Sequence, residues 1–255
     1  MENNKTWVWV LAVIIIVGGV IYFTRNTSTQ PTTTPTTQPT GTQQNAKVTN
    51  VEFANHIQAK LPEQDVFVES SKDDSKVVRV ESGDIEKNAD LVKKTVYAAA
   101  DAVAHDPFKL GQNPLGPLTK GKSFGFTLQD WLAANGKGTY TVSDNTAKLD
   151  LSFQKLVANG TYTVWCSRLT FPPNPKIVDR PCGAADGSQN TFKADASGNG
   201  AFQLSFSPLE PSTKETASVI ALAYHSDGKT YGADPGKFGL TTHVQLFFLL
   251  PAEQQ

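Results

Sequence analysis

Basic charge is not in surplus: 23 Lys and Arg stand against 24 Asp and Glu, a net charge of −1. There is no positive field to draw in nucleic acid, so no nucleic-acid partner is expected. No block of like charges occurs, which excludes an electrostatic tail. The single methionine is Met1, which argues against a blue-copper site with an axial methionine. The cysteines are Cys166 and Cys182 alone. None follows the amino-terminal apolar run, so a lipid anchor there is excluded. No small-x-small pattern follows that run either, which argues against signal cleavage.

That run is the first feature present. From Thr6 to Thr24 there is no charge, and Trp7 to Phe23 is almost wholly apolar. As a helix it would rise about 28 Å, close to the thickness of a bilayer core. Trp7, Trp9 and Tyr22 sit where an aromatic belt would lie. Residues 1–25 are therefore expected to form an uncleaved transmembrane signal anchor, with residues 7–23 in the lipid bilayer. The short stub before it and the long chain after it predict a single-pass protein of the cell membrane with its carboxy-terminal part outside.

Residues 26–46 predict a disordered linker. Positions 26–45 hold nine Thr, three Pro and four Gln with no charge. Such a segment cannot bury enough apolar surface to offset the entropy of ordering.

Residues 47–111 read as a mixed α/β lead-in. Asp65–Glu69 and Ser75–Glu81 alternate like short strands. Residues 84–105 predict a helix, because Ile85, Ala89, Val92, Val96, Ala99 and Val103 recur every three or four positions. Residues 111–126 read as a Gly/Pro loop. A short helix follows, with Thr127 as its cap and Asp130 at its third position.

The remaining pattern is strands and turns, and residues 112–255 are expected to form one β domain. Seven strands are predicted: 138–143, 148–157, 161–168, 190–194, 200–207, 216–225 and 241–250. In the last, Val244, Leu246, Phe248 and Leu250 share one face, and His243 and Gln245 the other. The fold class is mainly β: a seven-stranded antiparallel β-sandwich, immunoglobulin-like, with an α-helical lead-in and an N-terminal transmembrane helix. The widely spaced Cys…Trp…Cys pattern of true immunoglobulin domains is absent, since Trp165 abuts Cys166.

The stretches LDLSFQKLVANGTYTVWC, ALAYHSDGKTYG and THVQLFF resemble an uncharacterised family of membrane-anchored bacterial surface proteins with a β-sandwich domain, over roughly residues 84–250. The resemblance implies location and fold. It carries no catalytic residue.

Several motifs bear on chemistry. Outside the cytoplasm the even pair Cys166 and Cys182 predicts a disulfide; two free thiols are the alternative. Gly116–Ser123 matches a phosphate loop and Gly121–Gly125 a hydrolase elbow. Each needs a strand before it and a helix after it, and neither context is legible. Asp195–Gly200 resembles half of a calcium loop but lacks the distal glutamate, so a hairpin turn is expected. His225, Asp227 and His243 supply two imidazoles and one carboxylate, the ligand set of non-haem iron oxygenases. The plain alternative is a strand end and its loop.

The expectation that follows is a binding or structural surface module with no evident catalytic activity, meeting an unknown extracellular ligand or surface protein. Its contact surface would lie on the loops 171–189 and 226–240, where Phe171, Tyr231 and Phe238 are candidate binding residues. No cofactor is expected. The alternative is a metal-dependent enzyme or metal-binding domain built on His225, Asp227 and His243.

Overall fold

The computed structural model describes residues 46–57, 59, 65–81, 83–101, 116–171, 173 and 175–252. The expected anchor, the linker up to residue 45 and the segment 102–115 lie outside the described residues. Among the described residues no helix is long and apolar enough to cross a membrane.

The protein is mainly β, with 51% of the described residues in strands and 8% helical. One antiparallel sheet has the order β1-β7-β8-β12, formed by Lys47–Glu52, Asn135–Ser143, Thr146–Gln154 and Gly200–Phe206. In β8, Ala147, Leu149, Leu151 and Phe153 are buried while Lys148, Asp150 and Ser152 alternate outward. That period-two pattern is what a half-buried strand requires.

A second sheet runs β9-β13-β14-β2: Thr161–Thr170, Thr216–His225, Thr242–Leu249 and Ala54–Asn55. Two short strands, β10 (Lys176–Val178) and β11 (Thr191–Lys193), add to the outer edge of β9. The central strands β9 and β13 are buried on both faces; β13 reads as a nearly continuous apolar run, while β9 buries Thr161, Thr163 and Ser167 among its apolar residues. The two sheets share one core, in which Leu149, Leu151 and Phe153 of the first meet Tyr162, Val164, Ile220, Leu222 and Leu246 of the second.

A small closed barrel completes the body. It is formed by β3 (Phe67–Glu69), β4 (Lys76–Arg79), β5 (Thr95–Ala99) and β6 (Leu118–Thr127). The lead-in is thus divided: β1 and β2 extend the two sheets, while β3, β4 and β5 build the barrel.

All seven strands expected after residue 137 are present, as β7, β8, β9, β11, β12, β13 and β14. The helix expected over 84–105 is not. Its place holds a one-turn helix α1 (Asp84–Lys87), a 3-10 helix (Ala89–Lys93) and strand β5. Asn88 separates the first two by accepting a hydrogen bond from the Asp90 amide. Thr95, Val96 and Tyr97 suit a strand, and pairing with β3 and β6 decides the outcome over the helical spacing. The Gly/Pro loop expected over 111–126 is also corrected, since residues 118–127 form β6. The short helix α2 (Leu128–Leu132) is as expected: the Thr127 hydroxyl accepts from the Asp130 amide, and the Asp130 carboxylate accepts from the Thr127 amide.

Strand β14 contains a bulge. Leu222 pairs with Leu246 and Ala223 with Val244, which leaves Gln245 as the extra residue. The bulge sends Val244 to the outer face and keeps Leu246 in the main core. Gln245 also turns inward, where its Oε1 accepts from the Tyr162 hydroxyl and its Nε2 donates to the Trp131 carbonyl. The single apolar face expected for Val244, Leu246, Phe248 and Leu250 is corrected accordingly.

Candidate functional site

The end of the second sheet gathers the polar groups of interest. Tyr224 pairs with His243 and Tyr162, while His225 pairs with Thr242 and Thr161. Cross-strand partners share a face and successive residues alternate, so the two histidine rings leave the sheet on opposite sides.

The His225 ring lies on the outer face and is 1% exposed. Its Nε2 is 2.7 Å from the Thr163 hydroxyl and its Nδ1 3.4 Å from the Thr242 hydroxyl. Burial pulls its pKa down to about 4, against an upward pull from Asp227. His243 lies on the inner face and is 0% exposed. Its Nδ1 meets the Asp65 carbonyl at 3.0 Å and its Nε2 the Ser226 hydroxyl at 3.1 Å. The edge of Phe124 packs against it at 4.8 Å. Burial lowers its pKa to about 4 as well, with the Asp65 hydrogen bond opposing.

Asp227 sits in the turn after β13. Its carboxylate accepts from the Lys229 amide and from the Tyr231 hydroxyl at 2.5 Å. Burial raises its pKa, but the Tyr231 and Lys229 hydrogen bonds outweigh that and hold it below the usual carboxylate range. These three residues are not the ligands of one metal. The two rings face apart, and all four ring nitrogens are already hydrogen-bonded. Among the described residues no group of three or more His, Cys, Asp or Glu side chains is placed to hold a metal ion. Of the two readings of His225, Asp227 and His243, the strand end and its loop is the one present.

The other motifs also resolve into local structure. Gly121, Lys122 and Ser123 run extended within β6, so no helix begins there to cradle a phosphate or expose a nucleophile. Lys122 instead donates to the Ser226 carbonyl at 3.1 Å, and the Ser123 hydroxyl accepts from the Gly125 amide. Asp195 spends its carboxylate on the amides of Ser197 and Asn199 and on the Asn199 side chain. It closes the turn that carries the chain from β11 in the second sheet to β12 in the first, so the expected hairpin is corrected to a connection between sheets.

Cys166 and Cys182 form a disulfide, with Cα atoms 4.8 Å apart. It secures the segment that returns along the edge of β9, where Pro181 bridges to Trp165. Past the disulfide, the loop 183–190 lies against the loop 226–240: a Cβ on Gly232 would meet the Asp186 carbonyl at 3.0 Å. The three aromatic candidates do not stand together. Tyr231 is 37% exposed beside His225, and Phe238 is 8% exposed. Phe171 lies at the far end of β9, where its amide donates to the Glu215 carbonyl.

Sequence reasoning missed Thr163, Thr242, Ser226, Asp65 and Lys122. Thr163 carried a usable signal, since it alternates with Thr161 and Trp165 on one face of a predicted strand. Asp65 and Lys122 are far in sequence from the histidines and gave none. Comparison with family models, characterised proteins and solved structures finds no match for this chain.

Proposed function

We propose that the chain is a membrane-anchored, extracytoplasmic surface module with a binding or structural role and no catalytic one. Residues 7–23 act as the single-pass anchor and residues 26–46 as a spacer. The body is an immunoglobulin-type sandwich. Supporting this, β7-β8-β12 and β9-β13-β14 follow the A-B-E and C-F-G strand order of that fold, with β10 and β11 beyond β9. The likeness to membrane-anchored bacterial surface proteins belongs to the same reading.

The observation that carries the location is the disulfide. Both cysteines of the chain are joined, and such bonds persist in oxidising compartments. The contact surface is the adjoining loops 183–190 and 226–240. A disulfide, a packed sheet and loop-to-loop contacts hold them, which lowers the entropy lost on meeting a partner.

Fractionation of cells making the full chain tests the reading. The chain should stay with membranes through an alkaline wash, external protease should release the body, and alkylation without reductant should find no free thiol. A chain that is freely soluble, or that carries two free thiols, overturns it.

A further inference from the structure

Two neutral imidazoles hold the loop 226–240 from opposite faces of one strand pair, and the hydrogen-bond directions around them differ. The Trp165 indole N–H can only donate, and it meets the Thr163 hydroxyl oxygen at 2.7 Å. The arrangement that satisfies every group has the Thr163 hydroxyl donating to His225 Nε2. The ring proton then sits on Nδ1 and faces the Thr242 oxygen. Thr242 in turn donates to the Pro235 carbonyl at 2.6 Å, a group that can only accept. The Thr242 hydroxyl thus ties Pro235, in the middle of the loop, to β14, and His225 backs Thr242 from the neighbouring strand.

On the inner face the Asp65 carbonyl can only accept, so His243 carries its proton on Nδ1. Its Nε2 accepts from the Ser226 hydroxyl. That hydroxyl has a second acceptor, the Leu240 carbonyl at 3.2 Å. If His243 gains a proton, Nε2–H donates to Ser226 and the hydroxyl rotates to Leu240, so the contacts survive. His225 has no such escape. A proton on Nε2 would face an oxygen already engaged by Trp165 and would turn the Thr163 hydroxyl away from its acceptor.

We propose that the loop 226–240 is an acid-released flap, closed by neutral His225 and opened when that ring takes a second proton and turns toward Asp227. Asp227 lies two residues along, at the start of the flap. The faces of β9 and β14 that surround His225 present Thr161, Thr163, Trp165 and Thr242, all uncharged. The other titratable or charged groups close by are Tyr231 in the flap, His243 and Tyr224 across the sheet, and Lys122 of β6 on the Ser226 carbonyl. Burial keeps the closed ring neutral down to about pH 4. In the open flap the ring meets water and Asp227, and its affinity for a proton returns to at least the ordinary value of 6.5. Linkage then makes the open-to-closed ratio rise about tenfold per pH unit across that interval. The device acts on the loop itself, whatever the loop contacts.

Hydrogen exchange read by mass spectrometry on the full chain in detergent micelles, corrected for intrinsic rates, tests the flap. Protection of the amides of Ser226, Gly228 and Gly239, each bonded within or across the loop, should fall about tenfold per pH unit below 6.5. Amides of β7 and β8, which open only with the whole body, should stay more protected than these at every pH. In H225Q the slope should vanish; in H243Q it should remain. In D227N the onset, measured against that variant's own protection at neutral pH, should move to lower pH. Loss of protection in step with β7 and β8, or a flat profile in the parent chain, overturns the proposal. Should H225Q fail to fold, D227N decides: a profile matching the parent also overturns it.

Discussion

His225 and His243 occupy neighbouring strands one step out of register, and their rings leave the sheet on opposite sides. Each ring is sealed from water and has both nitrogens engaged. The spacing that suggests a shared metal in the sequence therefore yields two separate neutral imidazoles. Their common property is a depressed pKa, and its consequence is for stability and not for ligation.

Acid should weaken the fold well above the carboxylate range. Both imidazoles are held at about 4 in the folded chain, against 6.5 when free. Between those values the unfolded chain binds protons that the folded chain refuses, so stability falls as pH drops from 6.5 toward 4. By about pH 5 the loss amounts to roughly 2 kcal/mol per ring, the two being fully buried. Urea midpoints taken at neutral pH and near pH 5 check this, and H243Q should lose about half of the difference. Equal midpoints at both pH values would contradict it.

The disulfide should be a main support of the edge of β9. It closes a loop with a sequence separation of 16, and Cys182 is fully buried. On the chain-entropy estimate, replacing both cysteines by alanine costs about 3 kcal/mol. Chemical denaturation of the C166A/C182A chain measures it. A loss under about 1 kcal/mol would mean that the segment from Ser167 to Pro181 is held by its strand pairing alone, through β10.

Much of the β body was legible because its strands obey one rule at a time. β8 alternates cleanly, and β13 is apolar on both faces; each pattern names its own place in a sheet. Residues 84–105 were misread because Val and Ala at three- and four-residue spacing satisfy a helix locally, while the partners that make Thr95–Ala99 a strand lie in distant segments. The bulge at Gln245 was invisible for a related reason. Alternation counts residues, and a bulge inserts one without changing composition. The histidine site failed at the same level, since its sequence spacing carries no information about which side of the sheet each ring takes.

Gly138 should tolerate no side chain. It lies in β7 opposite Leu151, and a Cβ there would come 2.0 Å from the Asp150 carbonyl oxygen. The obstacle is backbone of the neighbouring strand, which cannot swing aside as a side-chain tip can. G138A should therefore destabilise the body by about 3 kcal/mol, the upper part of the usual cost of overpacking. Thermal unfolding followed by circular dichroism reports it, and a melting temperature equal to the parent's would show that β7 and β8 can part without cost.

Tyr162 holds the bulge from below. Its hydroxyl accepts from the Val157 amide at 2.8 Å and donates to Gln245 Oε1 at 2.9 Å. Burial pushes that hydroxyl's pKa far up, so it stays protonated and able to donate at every accessible pH. Y162F removes one oxygen and strands two buried partners, the Val157 N–H and the Gln245 carbonyl oxygen. The cost should be about 2 kcal/mol, governed by those abandoned groups and not by the bond itself. The double variant Y162F/Q245L should lose less than the sum of the single variants, because the Gln245 oxygen and the Tyr162 hydroxyl that each single change strands are then both gone, although the Trp131 carbonyl loses its donor. Urea midpoints for the parent, the single variants and the pair complete a cycle. Additive losses would mean that Tyr162 and Gln245 do not act on each other, and the bulge would then owe its inward turn to the Trp131 carbonyl alone.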